Sequence, residues 1–255
     1  MDLTVADLDR SLAFYQGVLG LIATPQDDGG VLLAGPDGAI LLALSEGATA
    51  PAAPGPGLYH LALLVPQPRD LARALTGLRA AGWPLQGAAD HAVSEALYLA
   101  DPDGHGIEIY ADRPRAAWRR FGGELVMGTD PLDLRGLVAE AADDGERAGA
   151  SLPAGTVVGH IHLSVADVDV AERLFVGRLG MDVTVRSYPG ALFLAYDGYH
   201  HHVGVNVWWR GGRERAVPGA ARLLSFEILP PPGLGGTPGR LTSPDAAFDI
   251  VVRPA

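Results

Sequence analysis

The sequence predicts an α+β protein built from four copies of one strand–helix–strand–strand–strand (βαβββ) unit, arranged as tandem pairs, with the last copy shortened. The first observation behind this is a repeat. "LTVADLDRSLAFYQGVLGL" (3–21) and "LSVADVDVAERLFVGRLGM" (163–181) align without a gap at an offset of 160, with eight of nineteen positions identical. Such agreement points to duplication. The second is that each half holds a further unit behind the first. The third is the run of short alternating apolar stretches bounded by Gly and Pro turns, which reads as strands.

The elements follow in order. Leu3 and Val5 alternate with Asp2 and Thr4, as in a strand buried on one face. Asp7 is placed to cap a helix carrying Leu8, Leu12 and Phe14–Tyr15, which ends at a Gly-containing stop. "VLLAG" and "AILLAL" are strands around the turn "PDG". "YHLALLV" (59–65) opens the second unit, and "PRDLARALTGLRAAG" (68–82) is an amphipathic helix with Leu71, Leu75 and Leu78 on one side. "ALYLA" and "IEIYA" follow as strands around "DPDG" (101–104).

Residues 116–156, with "GTDPLDLRGLVAEA" and an acidic, Gly-rich run, are expected to form a linker with one short helix. "LLSFEILPP" (223–231) and "FDIVV" (248–252) echo the later strands, with the helix between them shrunken or lost. The expected organisation is a first domain over 1–115, the linker, and a second, partly degenerate domain over 157–255. "PAAPGPG" (51–57) reads as a loop, "WRGGRER" (209–215) as a solvated Arg-rich loop or hairpin, and the Trp pair 208–209 as core or interface.

Composition narrows the chemistry. At 255 residues and 48% hydrophobic, the chain can bury a substantial core. A net charge of −11 argues against nucleic acid, which needs clustered cations. No apolar segment approaches the roughly 20 residues that span a bilayer, and no signal peptide is evident, so a cytoplasmic protein without a membrane partner is expected. Cys is absent, and all 19 basic residues are Arg. Thiolate sites, Cys nucleophiles and Lys chemistry are therefore excluded. His, carboxylates, Tyr, Ser and Thr remain, with or without a hard or borderline metal.

Taken together, "LTVADLDRSLAFYQGVLGL", "GLYHLALLVP", "DHAVSEALYLADPDGHGIEIYADRP", "GHIHLSVADV" and "GALFLAYDGYHHHVGVNVWW" resemble the vicinal oxygen chelate superfamily, which includes glyoxalase I, bleomycin-resistance proteins and extradiol dioxygenases. Within it the chain is most similar to two-domain catechol 2,3-dioxygenase-like proteins. The resemblance implies sheets curled around a cavity, with metal ligands on the first and last strands of the units. It implies Fe(II), held by two His and one Glu, cleaving a small aromatic substrate with O2. Mn(II), Zn(II), Ni(II) or no metal are the alternatives, attached to a glyoxalase-type isomerase or a metal-free binding or resistance protein. "AILLALSE" offers no ligand where glyoxalase-type families often place a fourth, which counts against that option. A homodimer is a candidate assembly.

The resemblance makes His60 a metal ligand, although an arbitrary His in "LYHLAL" would read as a core or rim residue. Glu108 lies between Ile107 and Ile109 in a strand and points to the face opposite them. A carboxylate buried there without a partner would be costly, and the fold position makes it a ligand. Tyr98, ten residues earlier, matches an active-site Tyr, and His91 is the candidate acid–base group. Asp2, Thr4 and Ser94 are candidate substrate contacts. In the second half, His160 and His162 share a strand face, and His160, His202 and Asp249 form a candidate second site. At the offset of 160, His160 maps to the position just before Met1, where the resembled family carries its first His ligand. Asp2 cannot stand in, because alternate strand residues lie about 6.5–7 Å apart. The expectation is a site lacking one vertex and impaired in ring cleavage, through either a start assigned too late or a product that has lost the chemistry.

Overall fold

A computed structural model describes residues 1–140, 151–209, 217–234, 238–245 and 247–254. The acidic Gly-rich run and most of "WRGGRER" lie outside the described residues.

Unit one is β1 (Asp2–Val5), α1 (Leu8–Gly17), β2 (Ile22–Pro25), β3 (Val31–Ala34) and β4 (Ile40–Glu46). Unit two is β5 (Gly57–Leu64), α2 (Pro68–Ala80), β6 (Gly87–Asp90), β7 (Ser94–Ala100) and β8 (Gly106–Asp112). The connecting segment carries β9 (Arg120–Phe121), β10 (Glu124–Leu125), β11 (Asp130–Pro131) and α3 (Leu134–Glu140). Unit three is β12 (Val157–Ser164), α4 (Val168–Phe175), β13 (Asp182–Val185), β14 (Ala191–Ala195) and β15 (Val203–Asn206). The shortened unit four is β16 (Leu223–Ile228), β17 (Gly239–Thr242) and β18 (Asp249–Val252), with no helix among its described residues.

The helix starts follow the capping chemistry. The Asp7 carboxylate accepts from the Arg10 backbone N–H, and Asp167 accepts from those of Asp169 and Val170. Pro68 opens α2, where a missing N–H costs nothing. At the end of α1, Gly20 takes the left-handed conformation that stops the helix (φ +71°).

The units pair across the two sequence halves. Units two and three share a nine-stranded sheet in the order β11-β6-β7-β8-β5-β12-β15-β14-β13. Units one and four share a seven-stranded sheet in the order β17-β18-β16-β1-β4-β3-β2. The two sheets, rather than the two halves of the sequence, are thus the bodies that curl. At the centre of the larger sheet, β5 and β12 run antiparallel with His60 opposite His162. At the matching junction of the smaller sheet, Asp2 faces Ser225.

Each central strand of the larger sheet is buried on both faces. Leu61, Leu63, Ile107, Ile109, Ile161 and Leu163 join the main core, while the alternate residues look into the concave side. The two sheets are tied at the "DPDGH" turn. Asp103 is fully buried and accepts from the Ala6 backbone N–H (3.2 Å), the Ser11 hydroxyl (3.3 Å) and the Arg10 guanidinium. Asp101 accepts from the Tyr15 hydroxyl at 2.9 Å. His105 Nε2 lies 2.9 Å from the Thr4 carbonyl oxygen, to which it donates.

Candidate active site

Three alternating strand positions converge on the concave face of the larger sheet. In the parallel pair β5–β8, Glu108 stands beside Ala62, and across the β5–β12 junction Ala62 stands beside His160. His60 lies two residues along β5 on the same face. Their ligand atoms lie within 4.8 Å of one another, and all three residues are buried. Among the described residues, this is the group of His, Asp and Glu arranged to hold a metal ion. Two close-packed glycines make room: a Cβ on Gly106 would lie 2.3 Å from the Tyr59 carbonyl oxygen and 3.1 Å from His60 Cβ. Across the junction, a Cβ on Gly204 would meet the His162 ring at 3.0 Å.

The donor set suits a divalent metal. Glu108 Oε2 is 2.9 Å from His60 Nε2 and 3.1 Å from His160 Nε2. Only the His160 contact is aligned as a hydrogen bond, so buried His60 Nε2 has no hydrogen-bond partner. An orphaned imidazole nitrogen beside a carboxylate is costly in itself, and coordination would satisfy it. Burial pushes His160 down to about 4, and the Glu108 carboxylate offsets only part of that. For Glu108, burial opposes ionisation, but His160 and His60 together hold it well below the usual carboxylate range. Near neutral pH, His160 is therefore uncharged and Glu108 charged.

A cavity of about 580 Å³ opens over this group. Tyr59, Tyr188, Phe193 and Trp208 line it, with Trp208 edge-on to Tyr59 at a centroid distance of 5.6 Å. Tyr98 stands directly across β7–β8 from Glu108. Its hydroxyl is 2.6 Å from His91 Nε2, and His91 Nδ1 is 2.6 Å from the Gly128 carbonyl oxygen. A carbonyl only accepts, so Nδ1 carries a proton, and in that tautomer Nε2 accepts from Tyr98 O–H. Burial first, and then the Glu108 charge, keep the Tyr98 hydroxyl protonated well above the usual range.

Several expectations are corrected. His160 does not form a second site with His202 and Asp249; it completes the group with His60 and Glu108. The third vertex expected before Met1 thus comes from unit three, because unit three is the partner of unit two. His202 turns away, its Nδ1 accepting from the Tyr196 backbone N–H at 3.2 Å. Asp249 sits in the other sheet, bound by Arg240 and Thr242, each at 2.8 Å. It is not the counterpart of Glu108. Counting from Ser225 as the counterpart of His60, Glu227 corresponds to Ala62, and the residue beside it is Val251.

Asp2 accepts from the Ser225 hydroxyl, while Thr4 exchanges hydrogen bonds with the Arg222 backbone. Both belong to the seven-stranded sheet. Ser94 pairs with Asp112 at the far end of β7 and does not line the cavity.

Sequence reasoning missed the roles of His162, His201, Tyr188, Trp208 and Met127–Thr129, all of which line the cavity. The alternation in "GHIHLSV" already put His162 on the face of His160. His201 hides in a run of three His, and its ring lies 4.1 Å from that of His160. Nothing in the local sequence marks the segment 127–129 as a wall of the cavity.

The comparisons make the class explicit: the chain belongs to the Glyoxalase/Bleomycin resistance protein/Dioxygenase superfamily, whose family model matches residues 1–109. A relative named catechol-2,3-dioxygenase, from Bacillus subtilis (strain 168), is 45% identical over 212 residues, covering 81% of this chain and 73% of that protein. A solved structure from Bacillus subtilis subsp. subtilis str. 168, described provisionally as a dioxygenase, shares the fold with a TM-score of 0.64 at 14% identity, over 99% of this chain and 83% of that one. A glyoxalase/dioxygenase from Nostoc punctiforme is 28% identical over 45% of this chain and 89% of its own, with a TM-score of 0.38. No helix among the described residues is long and apolar enough to cross a membrane.

Proposed function

We propose that the protein is an extradiol dioxygenase that opens the ring of a small catechol beside its hydroxyls, with His60, His160 and Glu108 holding Fe(II). The observation that carries this is the convergence of those three buried side chains beneath an aromatic-lined cavity. The 45% identical relative named catechol-2,3-dioxygenase supports it. Overall, one ring C–C bond adjacent to a hydroxyl-bearing carbon breaks, and both atoms of O2 enter the product. Two imidazoles and one carboxylate leave positions open on Fe(II), which would supply electron exchange between catechol and O2.

The chain's own residues supply position and proton handling. Tyr59, Phe193 and Trp208 confine a flat ring and exclude water. His91 has both nitrogens engaged, so its task is to aim the Tyr98 hydroxyl. His201, buried on the cavity wall against His160, is the group placed to take a substrate hydroxyl proton. This moves the acid–base role from His91 to His201.

The test is anaerobic Fe(II) loading followed by catechol and O2. A yellow ring-opened product is expected, and Mn(II) loading in parallel tests the metal. Absence of turnover on a panel of 3- and 4-substituted catechols by metal-loaded protein would refute the proposal.

A further inference from the structure

Behind His201 lies a hydrogen-bonded chain that ligand geometry alone does not require. β8 presents Glu108, Tyr110 and Asp112 on one face, so the strand that brings Glu108 to the cavity also brings a second carboxylate behind it. Asp112 Oδ1 is 2.9 Å from His200 Nε2, and the Tyr199 hydroxyl donates to it at 3.3 Å. His200 Nδ1 in turn faces His201 Nδ1 at 2.8 Å. His200 is fully buried and its ring stacks on Tyr199 at 4.0 Å, while its carbonyl accepts from the Thr184 hydroxyl at 2.6 Å. The ring therefore has little freedom to turn.

We propose that Asp112 and His200 are positioning residues that lock His201 in one tautomer, with its unprotonated Nε2 presented to the cavity. The logic is proton counting. A carboxylate only accepts, so His200 Nε2 carries a proton. In the proposed arrangement that is the only proton His200 holds, so its Nδ1 is an acceptor. Two facing nitrogens at 2.8 Å need one proton between them, and it must come from His201 Nδ1. His201 Nε2 is then left as a lone pair, a hydrogen-bond acceptor matched to a hydroxyl donor. Without the chain, His201 is free to take the other tautomer, which would present an N–H to that hydroxyl.

The kinetic consequence rests on the ring-cleavage reading; the tautomer does not. The test is 15N NMR of the full chain labelled at histidine, metal-free and with diamagnetic Zn(II), with the His201 signals identified by their loss in His201→Gln. Wild type is expected to show protonated Nδ1 and bare Nε2. Asp112→Asn, whose amide oxygen still accepts, is expected to keep that pattern, whereas Asp112→Leu is expected to lose it. In Fe(II)-loaded protein, Asp112→Leu should lower kcat by about tenfold or more with KM and metal content little changed, and Asp112→Asn should restore most of the rate. A protonated Nε2 on His201 in wild type, or an unchanged tautomer in Asp112→Leu, would overturn the proposal. The expected NMR pattern in a wild type without turnover would instead refute the ring-cleavage reading alone.

Discussion

The acid response of the metal-free protein follows from His160. Its pKa is lowered by burial from 6.5 to about 4. As pH falls, the unfolded chain protonates this residue near 6.5, while the folded chain resists until near 4. Across that window the unfolded state binds more protons, so stability declines as pH declines. A shift of about two and a half pH units corresponds to about 3 kcal/mol. Burial lowers His162 and His201 as well, which adds to the decline in the same direction. Glu108, also depressed, contributes stability that is lost only below the ordinary carboxylate range, and so acts at lower pH. His160→Gln removes one titrating group while keeping a donor for Glu108. Urea denaturation of chelator-treated protein from pH 7.5 to 4 should therefore show a flatter stability profile in the variant, by about 3 kcal/mol over the window. Parallel profiles for the two proteins would refute the burial argument.

Three further outcomes are expected. Asp103→Ala leaves the Ala6 N–H and the Ser11 hydroxyl without their acceptor at the joint between the sheets, and should cost about 2–4 kcal/mol in denaturant titration; a loss under about 0.5 kcal/mol would refute a structural role. Gly106→Ala forces a Cβ against the Tyr59 carbonyl and His60, and should weaken divalent metal binding about tenfold or more by calorimetry while the far-UV CD spectrum persists. Tyr98→Phe removes the donor to His91 Nε2 and should lower kcat by about ten- to a hundredfold at unchanged metal content; an unchanged kcat would place Tyr98 outside the substrate's reach.

Much of the fold was legible because it repeats. The offset of 160 exposed the units, and local signals such as Asp7, Asp167 and Pro68 marked the helix starts. His60 and Glu108 were legible through the family resemblance, which expects ligands on the first and last strands of a unit; on alternation alone His60 read as a core or rim residue. What stayed hidden was which unit pairs with which. Units one, two and three share one internal pattern, so alternation cannot say whether β5 joins β1 or β12. That choice decides the third vertex: pairing with β12 brings in His160, whereas pairing with β1 would leave a gap. The same ambiguity misplaced Asp2, Thr4 and Asp249, which lie on strands of the other sheet. Contacts from irregular segments, such as Gly128 with His91, depend on tertiary packing and leave no periodic trace.

The central claim is that units two and three build one metal site between them. Calorimetric titration with Mn(II), checked by elemental analysis, tests it most directly. Wild type should bind one equivalent. His60→Ala, Glu108→Ala and His160→Ala should each lose about a hundredfold or more in affinity, and Asp249→Ala should match wild type. Undiminished binding by His160→Ala, or lost binding by Asp249→Ala, would contradict the account.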